Sequence, residues 1–146
     1  MAYLENHGSG LHRLIYISRA LPSQGPDGEA ASSAEIAGIV ARAAEKNRAL
    51  AVTGVLLAYN GWFIQALEGS HDTLKPLYDR IGADPRHGEI VLKVVEAAQT
   101  RLFSRWGMKQ GRAPAAGVGF DVATAKAPDL LQLLKLAALA PARRAA

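Results

Sequence analysis

Residues 51–59 read AVTGVLLAY, residues 62–67 read WFIQAL, and between them stands Asn60-Gly61. Two apolar runs joined by Asn-Gly form the strongest short-range hairpin signal, because both turn residues tolerate the positive φ of a type I′ turn. An antiparallel pair is therefore fixed near the middle of the chain, and the flanking segments must cover it. Before it, Ser33 can cap a helix whose residues Ile36, Ile39, Val40 and Ala43 or Ala44 share one face, ending near Asn47. After it, Glu68-Gly69-Ser70 reads as a break. Ser70 or Asp72 can then cap a helix in which Leu74, Leu77, Tyr78 and Ile81 recur at helical spacing. Asp84-Pro85 ends that helix, since a residue before proline avoids the helical region.

Residues 11–18 (LHRLIYIS) and 90–97 supply two more strands, and residues 106–110 a short fifth. Residues 128–140 form an amphipathic helix with Pro128 in its first turn. The order βαββαββ predicts a ferredoxin-like α+β sandwich with two helices on one sheet face, followed by a C-terminal helical tail. The other face needs the C-terminal helix or another subunit. Residues 21–33, rich in Pro, Gly, Ser and Ala, read as a loop. The division is a tail over 1–10, one domain over 11–112, and a linker and helix over 113–146.

A chain of 146 residues is long enough for one real core. With no cysteine, disulfides, thiolate metal sites and cysteine nucleophiles are excluded. No apolar run approaches the roughly 20 residues of a membrane span, and the N-terminus has no apolar signal core. A cytoplasmic protein is expected. The net charge of +4 is uneven, with 12 of the 17 basic residues after position 73. Such a half is either a solvated face or an attraction for an anionic cofactor. Nothing resembles a recognition helix, zinc finger or aromatic RNA-binding strand, so nucleic acid is not the expected partner.

Strand alternation puts Phe63, Gln65 and Leu67 on one face. Gln65 is then a core amide held by backbone or a ligand contact, because a buried amide needs partners either way. Tyr16 is a core aromatic with a tethered hydroxyl, or a functional phenol. Asn47 is a helix C-cap or a ligand contact. Ser18 lacks evident His/Asp partners, and His12, His71 and His87 lack metal-ligand spacing.

The combination says more than the parts. LIYISRA (14–20), VTGVLLAYNGWFIQALEG (52–69), DPRHGEI (84–90) and RLFSRWGM (101–108), in this order, resemble the BLUF family, the sensors of blue light using FAD. The resemblance implies a non-covalent FAD site, with FMN or riboflavin as alternatives in recombinant material, lying between two helices. It assigns Tyr16 as the redox-active tyrosine and Gln65 as the switching glutamine. Asn47 would bond the carbonyl/N3 edge of the ring, Arg80 and Asp84 its pyrimidine side, with Arg86 and His87 as the pair after the second helix. Ile39 and Ile81 would sandwich the ring, Lys46 and Arg86 would neighbour the ribityl-phosphate end, and Trp106 and Met108 would serve signal output. Under blue light Tyr16 would give up an electron and, through Gln65, a proton. Gln65 would return in a new hydrogen-bonding state that strengthens the bond to flavin O4 and shifts absorption to the red.

Three departures stand out: a longer stretch between Tyr16 and Asn47, Ala43 where many relatives have serine, and Gly107 in place of serine between Trp106 and Met108. The chain has room for a sensor and a short tail, so output is expected through a separate downstream protein or a change of oligomer. Leu130, Leu131, Leu133 and Leu134 beside an uncovered sheet face favour a homodimer; the alternative is that the tail caps its own sheet. Three other readings stay open: a BLUF-like domain that binds flavin as a constitutive scaffold or redox module, an acylphosphatase-like hydrolase with Arg19 as anion-binding residue, and a ferredoxin-like regulator without flavin.

Overall fold

The computed structural model describes residues 10–20, 33–59, 61–83, 87–103, 109–111 and 121–139. Its strands are β1 (Leu11–Ala20), β2 (Thr53–Tyr59), β3 (Trp62–Ser70), β4 (His87–Ala97) and β5 (Lys109–Gln110). Its helices are α1 (Ser33–Ala49), α2 (His71–Gly82) and α3 (Ala127–Leu139). The sheet runs β4-β1-β3-β2-β5. The first four strands are antiparallel to their neighbours, and β5 lies parallel to β2. This is the ferredoxin-like α+β arrangement that the hairpin and its flanking helices imply.

Period-two alternation divides the sheet into two cores. On the near face, Leu14, Tyr16, Leu56, Phe63 and Leu67 pack beneath α1 and α2, which contribute Val40 and Leu74. On the far face, Ile15, Ile17, Val55, Leu57, Ile64 and Ala66 pack against α3. The leucines and alanines of α3 at 130, 133, 134, 137 and 138 are all buried, following the i, i+3, i+4, i+7 stripe of a core-facing helix. The tail therefore caps its own sheet, and the leucine-rich helix that favoured a homodimer is occupied within the chain.

Several boundaries differ from the expectation: β1 runs on to Ala20, β4 begins at His87 rather than Ile90, and two further shifts bear on the site. β3 does not break at Glu68 but continues through Ser70, pairing with β1 as far as Leu11↔Ser70. Glu68 remains in the strand because its buried side chain finds partners there, as described below. Ser70 then caps α2 directly, its hydroxyl accepting from Thr73 N at 3.3 Å. At the end of α1, the helix passes Asn47 to Ala49, and Ala51 takes a left-handed φ of 56° to turn the chain into β2.

β1 and β4 slip register between Ile15/Tyr16 and Ile17/Arg19. Bulges of this kind re-aim side chains beside functional positions. Gly54 admits the close approach of β2 and β3: a Cβ there would lie 2.2 Å from the Ala66 carbonyl oxygen. No described helix is long and apolar enough to cross a membrane.

Candidate functional site

Between α1, α2 and the near face of the sheet lies a cavity of about 590 Å³, within the usual range for a cofactor pocket. Its floor is the sheet: Tyr16 from β1, Leu56 from β2, and Phe63, Gln65 and Leu67 from β3. One wall is α1, with Ile39, Arg42, Ala43, Lys46 and Asn47. The opposite wall is α2, with Leu77, Arg80 and Ile81.

Two polar side chains meet on the floor. Tyr16 and Gln65 are register partners on β1 and β3, so their side chains emerge side by side on the same face. The Tyr16 hydroxyl donates to Gln65 Oε1. Both residues are almost wholly buried, Tyr16 at 2% exposure and Gln65 at 5%. A buried carboxamide and phenol are tolerable only when paired, and here each supplies the other. Tyr78 of α2 packs edge-on against the Tyr16 ring, with centroids 5.7 Å apart. Burial raises the Tyr78 phenol above its ordinary value, and the Asp79 carboxylate raises it further.

Asn47 is buried at 3% exposure and lines the cavity. Its backbone carbonyl accepts from Leu50 N at 3.0 Å and Val52 N at 2.8 Å. The residue therefore sits inside the last turn, its carbonyl bonding the chain that leaves the helix, while it lines the cavity; the C-cap expected at Asn47 lies further on, since the helix runs to Ala49. Ile39 and Ile81 stand on opposing walls, as a sandwich for a flat ring requires. Arg42, Lys46 and Arg80 are exposed and line the cavity, and no carboxylate among the described residues does so. The site is an apolar slot with convergent hydrogen-bonding groups and a cationic rim. That donor set and volume fit a flavin ring whose chain carries phosphate.

Asp84, Arg86, Trp106 and Met108 lie outside the described residues, as does the side chain of His87. Arg19 is not placed for anion binding in the way the hydrolase reading needs. It stacks over Trp62, 4.4 Å from the ring centroid, and pairs with Glu89 at 3.3 Å. His12 and His71, far apart in sequence, meet edge-on at 5.2 Å.

Sequence reasoning missed several cavity residues. Arg42 stands four residues before Lys46, and that spacing alone could have placed it on the same helix face. Leu56 was findable from the hairpin register, which sets it opposite Gln65. Leu77 was recognised as apolar but not as a wall.

Comparisons with known proteins agree with this geometry. The family model described as sensors of blue light using FAD matches residues 11–109. The photoactivated adenylate cyclase subunit beta of Euglena longa is 36% identical over 95 residues, covering 65% of this chain and 10% of that protein. The blue light- and temperature-regulated antirepressor BluF of Escherichia coli strain K12 is 34% identical over 94 residues, covering 64% of this chain and 21% of that protein. The chain thus spans only a small part of these relatives. The dark-state structure of BlrB, a BLUF protein, superposes with a TM-score of 0.61 at 32% identity, over 70% of this chain and 73% of that one. The photo-activated state of BlsA reaches a TM-score of 0.76 over 92% of this chain and 99% of that one, a likeness of fold at 21% identity. With the family model matching most of the chain and the cavity furnished to suit its cofactor, the chain belongs to the BLUF family, the flavin-binding sensors of blue light.

Proposed function

We propose that this chain is a blue-light photoreceptor in which Tyr16 and Gln65 form the switch. The observation that carries the reading is the buried hydrogen bond from the Tyr16 hydroxyl to Gln65 Oε1 on the floor of the cavity. Bound between α1 and α2, FAD would supply blue-light absorption and an excited ring that accepts an electron. Tyr16 would be the donor of that electron, with its phenolic proton passing along the bond to Gln65, and both would return to Tyr16 on recombination, leaving Gln65 in its changed state. Gln65 can take part because a carboxamide has an acceptor at one end and a donor at the other. Reorienting it exchanges which end meets the phenol, and tautomerising it turns the oxygen from acceptor into donor in place. The two arrangements are then two hydrogen-bond networks of one buried pair, and return to the first needs no bond to the cofactor to break.

The remaining residues hold the cofactor. Ile39 and Ile81 would clamp the ring, Asn47 would bond its carbonyl/N3 edge, and Arg80 with Asp84 its pyrimidine side. Arg86 and His87 would continue that polar edge. Lys46, with Arg42 one turn earlier, would meet phosphate. Trp106 and Met108 would carry the change to the surface. The signal would pass to a separate partner or through a change of oligomer, in the cytoplasm.

The test is a light-minus-dark absorption spectrum of the purified protein and of Gln65→Leu. A reversible red shift of a flavin band, lost in Gln65→Leu, is the expected result. Bound flavin with no shift would make the chain a constitutive flavin binder. Protein that takes up no flavin after reconstitution would overturn the reading altogether.

A further inference from the structure

Among the described residues, the buried charged side chains of the far face, Arg13 and Glu68, belong to one cluster, and Glu68 at its centre has no part in the cavity. Glu68 is wholly buried. Its Oε2 accepts from Arg13 Nε at 3.0 Å and Leu102 N at 2.8 Å; its Oε1 accepts from Phe103 N at 2.9 Å and Thr53 Oγ1 at 3.2 Å. Arg101 braces the same place: Nη1 donates to Thr53 Oγ1 at 3.0 Å and to the Glu68 carbonyl at 3.1 Å, and Nη2 to the Ala51 carbonyl at 2.8 Å. Residues 101–103 are therefore fastened to β2 and β3 by a side chain rather than by strand pairing. Phe103, 1% exposed, is thereby seated in the core against which α3 packs.

The chain after this clamp returns to the sheet at a telling level. Tyr16 faces Gln65 across β1 and β3, Gln65 faces Leu56 across β3 and β2, and Leu56 faces Gln110 across β2 and β5. Gly111 N then donates to the Leu56 carbonyl at 2.7 Å. Residues 101–103 are thus pinned by Glu68, three residues along β3 from Gln65, and residues 110–111 on Gln65's own rung.

An acid is an expensive way merely to fill this position. A buried carboxylate is tolerated only when fully bonded, and an apolar residue of similar size often serves stability as well. What the carboxylate adds is direction: two backbone N–H groups bound at charge-assisted strength to one rigid strand must move with that strand.

We propose that Glu68 is a positioning residue for the light response, coupling β3 to residues 101–103 so that a rearrangement at Gln65 reaches Phe103 and the α3 face. The clamp also favours the dark arrangement and speeds return to it. This role rests on the photoreceptor reading above.

Two variants test it, each loaded with FAD. In Glu68→Gln one oxygen becomes an –NH₂ that cannot accept, so the converging donors lose partners. Arg101→Gln removes the outer brace from a partly exposed position and decides the question if Glu68→Gln does not fold. The measurements are the light-minus-dark spectrum, the recovery time after illumination, and hydrogen exchange at the Leu102 and Phe103 amides in both states. The red shift should match wild type in both variants. Recovery should lengthen several-fold in Glu68→Gln and less in Arg101→Gln. Exchange at the two amides should respond to light in wild type and be fast and light-insensitive in Glu68→Gln. Normal shifts with unchanged recovery times in the folded variants would overturn the coupling role and leave a structural clamp. A wild-type protein without any shift would overturn the photoreceptor reading, and this role with it.

Discussion

The two faces of one sheet are finished differently. On the far face, Ile15, Ile17, Val55, Leu57 and Ile64 meet Leu130, Leu133, Leu134 and Ala137 of α3, and every one of them is nearly sealed from solvent. On the near face, α1 and α2 stand over a smaller cluster with a cavity in its middle, and their facing residues Ile39, Leu77 and Ile81 are only half-buried. Protein interiors are normally close-packed, with few voids larger than a water molecule. A cleft of about 590 Å³ between this sheet face and its helices is therefore the place suited to the family's flavin. On the function proposed above, the far face carries stability and the near face the switch, so unfolding energy and the absorption shift should respond to different mutations.

The largest effect belongs to the near face and should be qualitative. Tyr16→Phe removes the donor of the Tyr16–Gln65 bond while keeping the ring packed. The light-induced red shift should disappear with flavin still bound, and denaturant unfolding should show a cost of about 1–3 kcal/mol, because the buried Gln65 Oε1 loses that donor. A normal red shift in this variant would remove Tyr16 from the mechanism.

The opposite pattern is expected across the sheet. Leu133, 1% exposed beneath the far face, should cost about 2–5 kcal/mol when cut to alanine, the usual range for a buried leucine. Urea unfolding measures the loss, and the difference spectrum of the folded variant should keep its amplitude. A light response that vanished in folded Leu133→Ala would mean that the two faces do not act separately.

The hairpin, both helices over the near face and the apolar C-terminal helix were all legible in the sequence, because each rests on local signals. Asn60-Gly61, the helical spacing from Leu74 to Ile81 and the stripe from Leu130 onward need no long-range knowledge. Tyr16 and Gln65 were each ambiguous alone. What joins them is register, a property of pairing across 49 positions, and only the family resemblance brought them together beforehand. Glu68 was misread for a related reason. A Glu-Gly-Ser run looks like a strand break locally, whereas its place is set by Arg13, Leu102 and Phe103, all distant in sequence. The direction of β5 was likewise beyond local pattern, since nothing in two residues tells parallel from antiparallel.

If the near-face core is completed by a ligand, removing the ligand should weaken that face first. Flavin present at about a hundred times its dissociation constant should stabilise the fold by about 2.7 kcal/mol, by mass action alone. Thermal unfolding with and without FAD measures this. Hydrogen exchange should show the loss concentrated in α1 and α2, with α3 little changed. Equal loss of protection over α3 would argue that the two cores unfold as one unit and that the cavity is no local weakness.

The smallest effect concerns the rim rather than the slot. Arg42 and Lys46 stand one turn apart on α1, are exposed, and line the cavity without a carboxylate among the described residues to oppose them. Exposed charge pairs are worth about 0.2–1 kcal/mol, so Arg42→Gln or Lys46→Gln should weaken FAD and FMN binding by no more than about fivefold. Riboflavin carries no phosphate and should bind each variant as it binds wild type. Because the interaction is exposed, it should fade as salt rises and the Debye length falls from about 10 Å at 0.1 M to about 3 Å at 1 M. Fluorescence titration of the three flavins at low and high salt separates the contributions. A matching loss for riboflavin would place these side chains against the ring, and the rim would then belong to the slot after all.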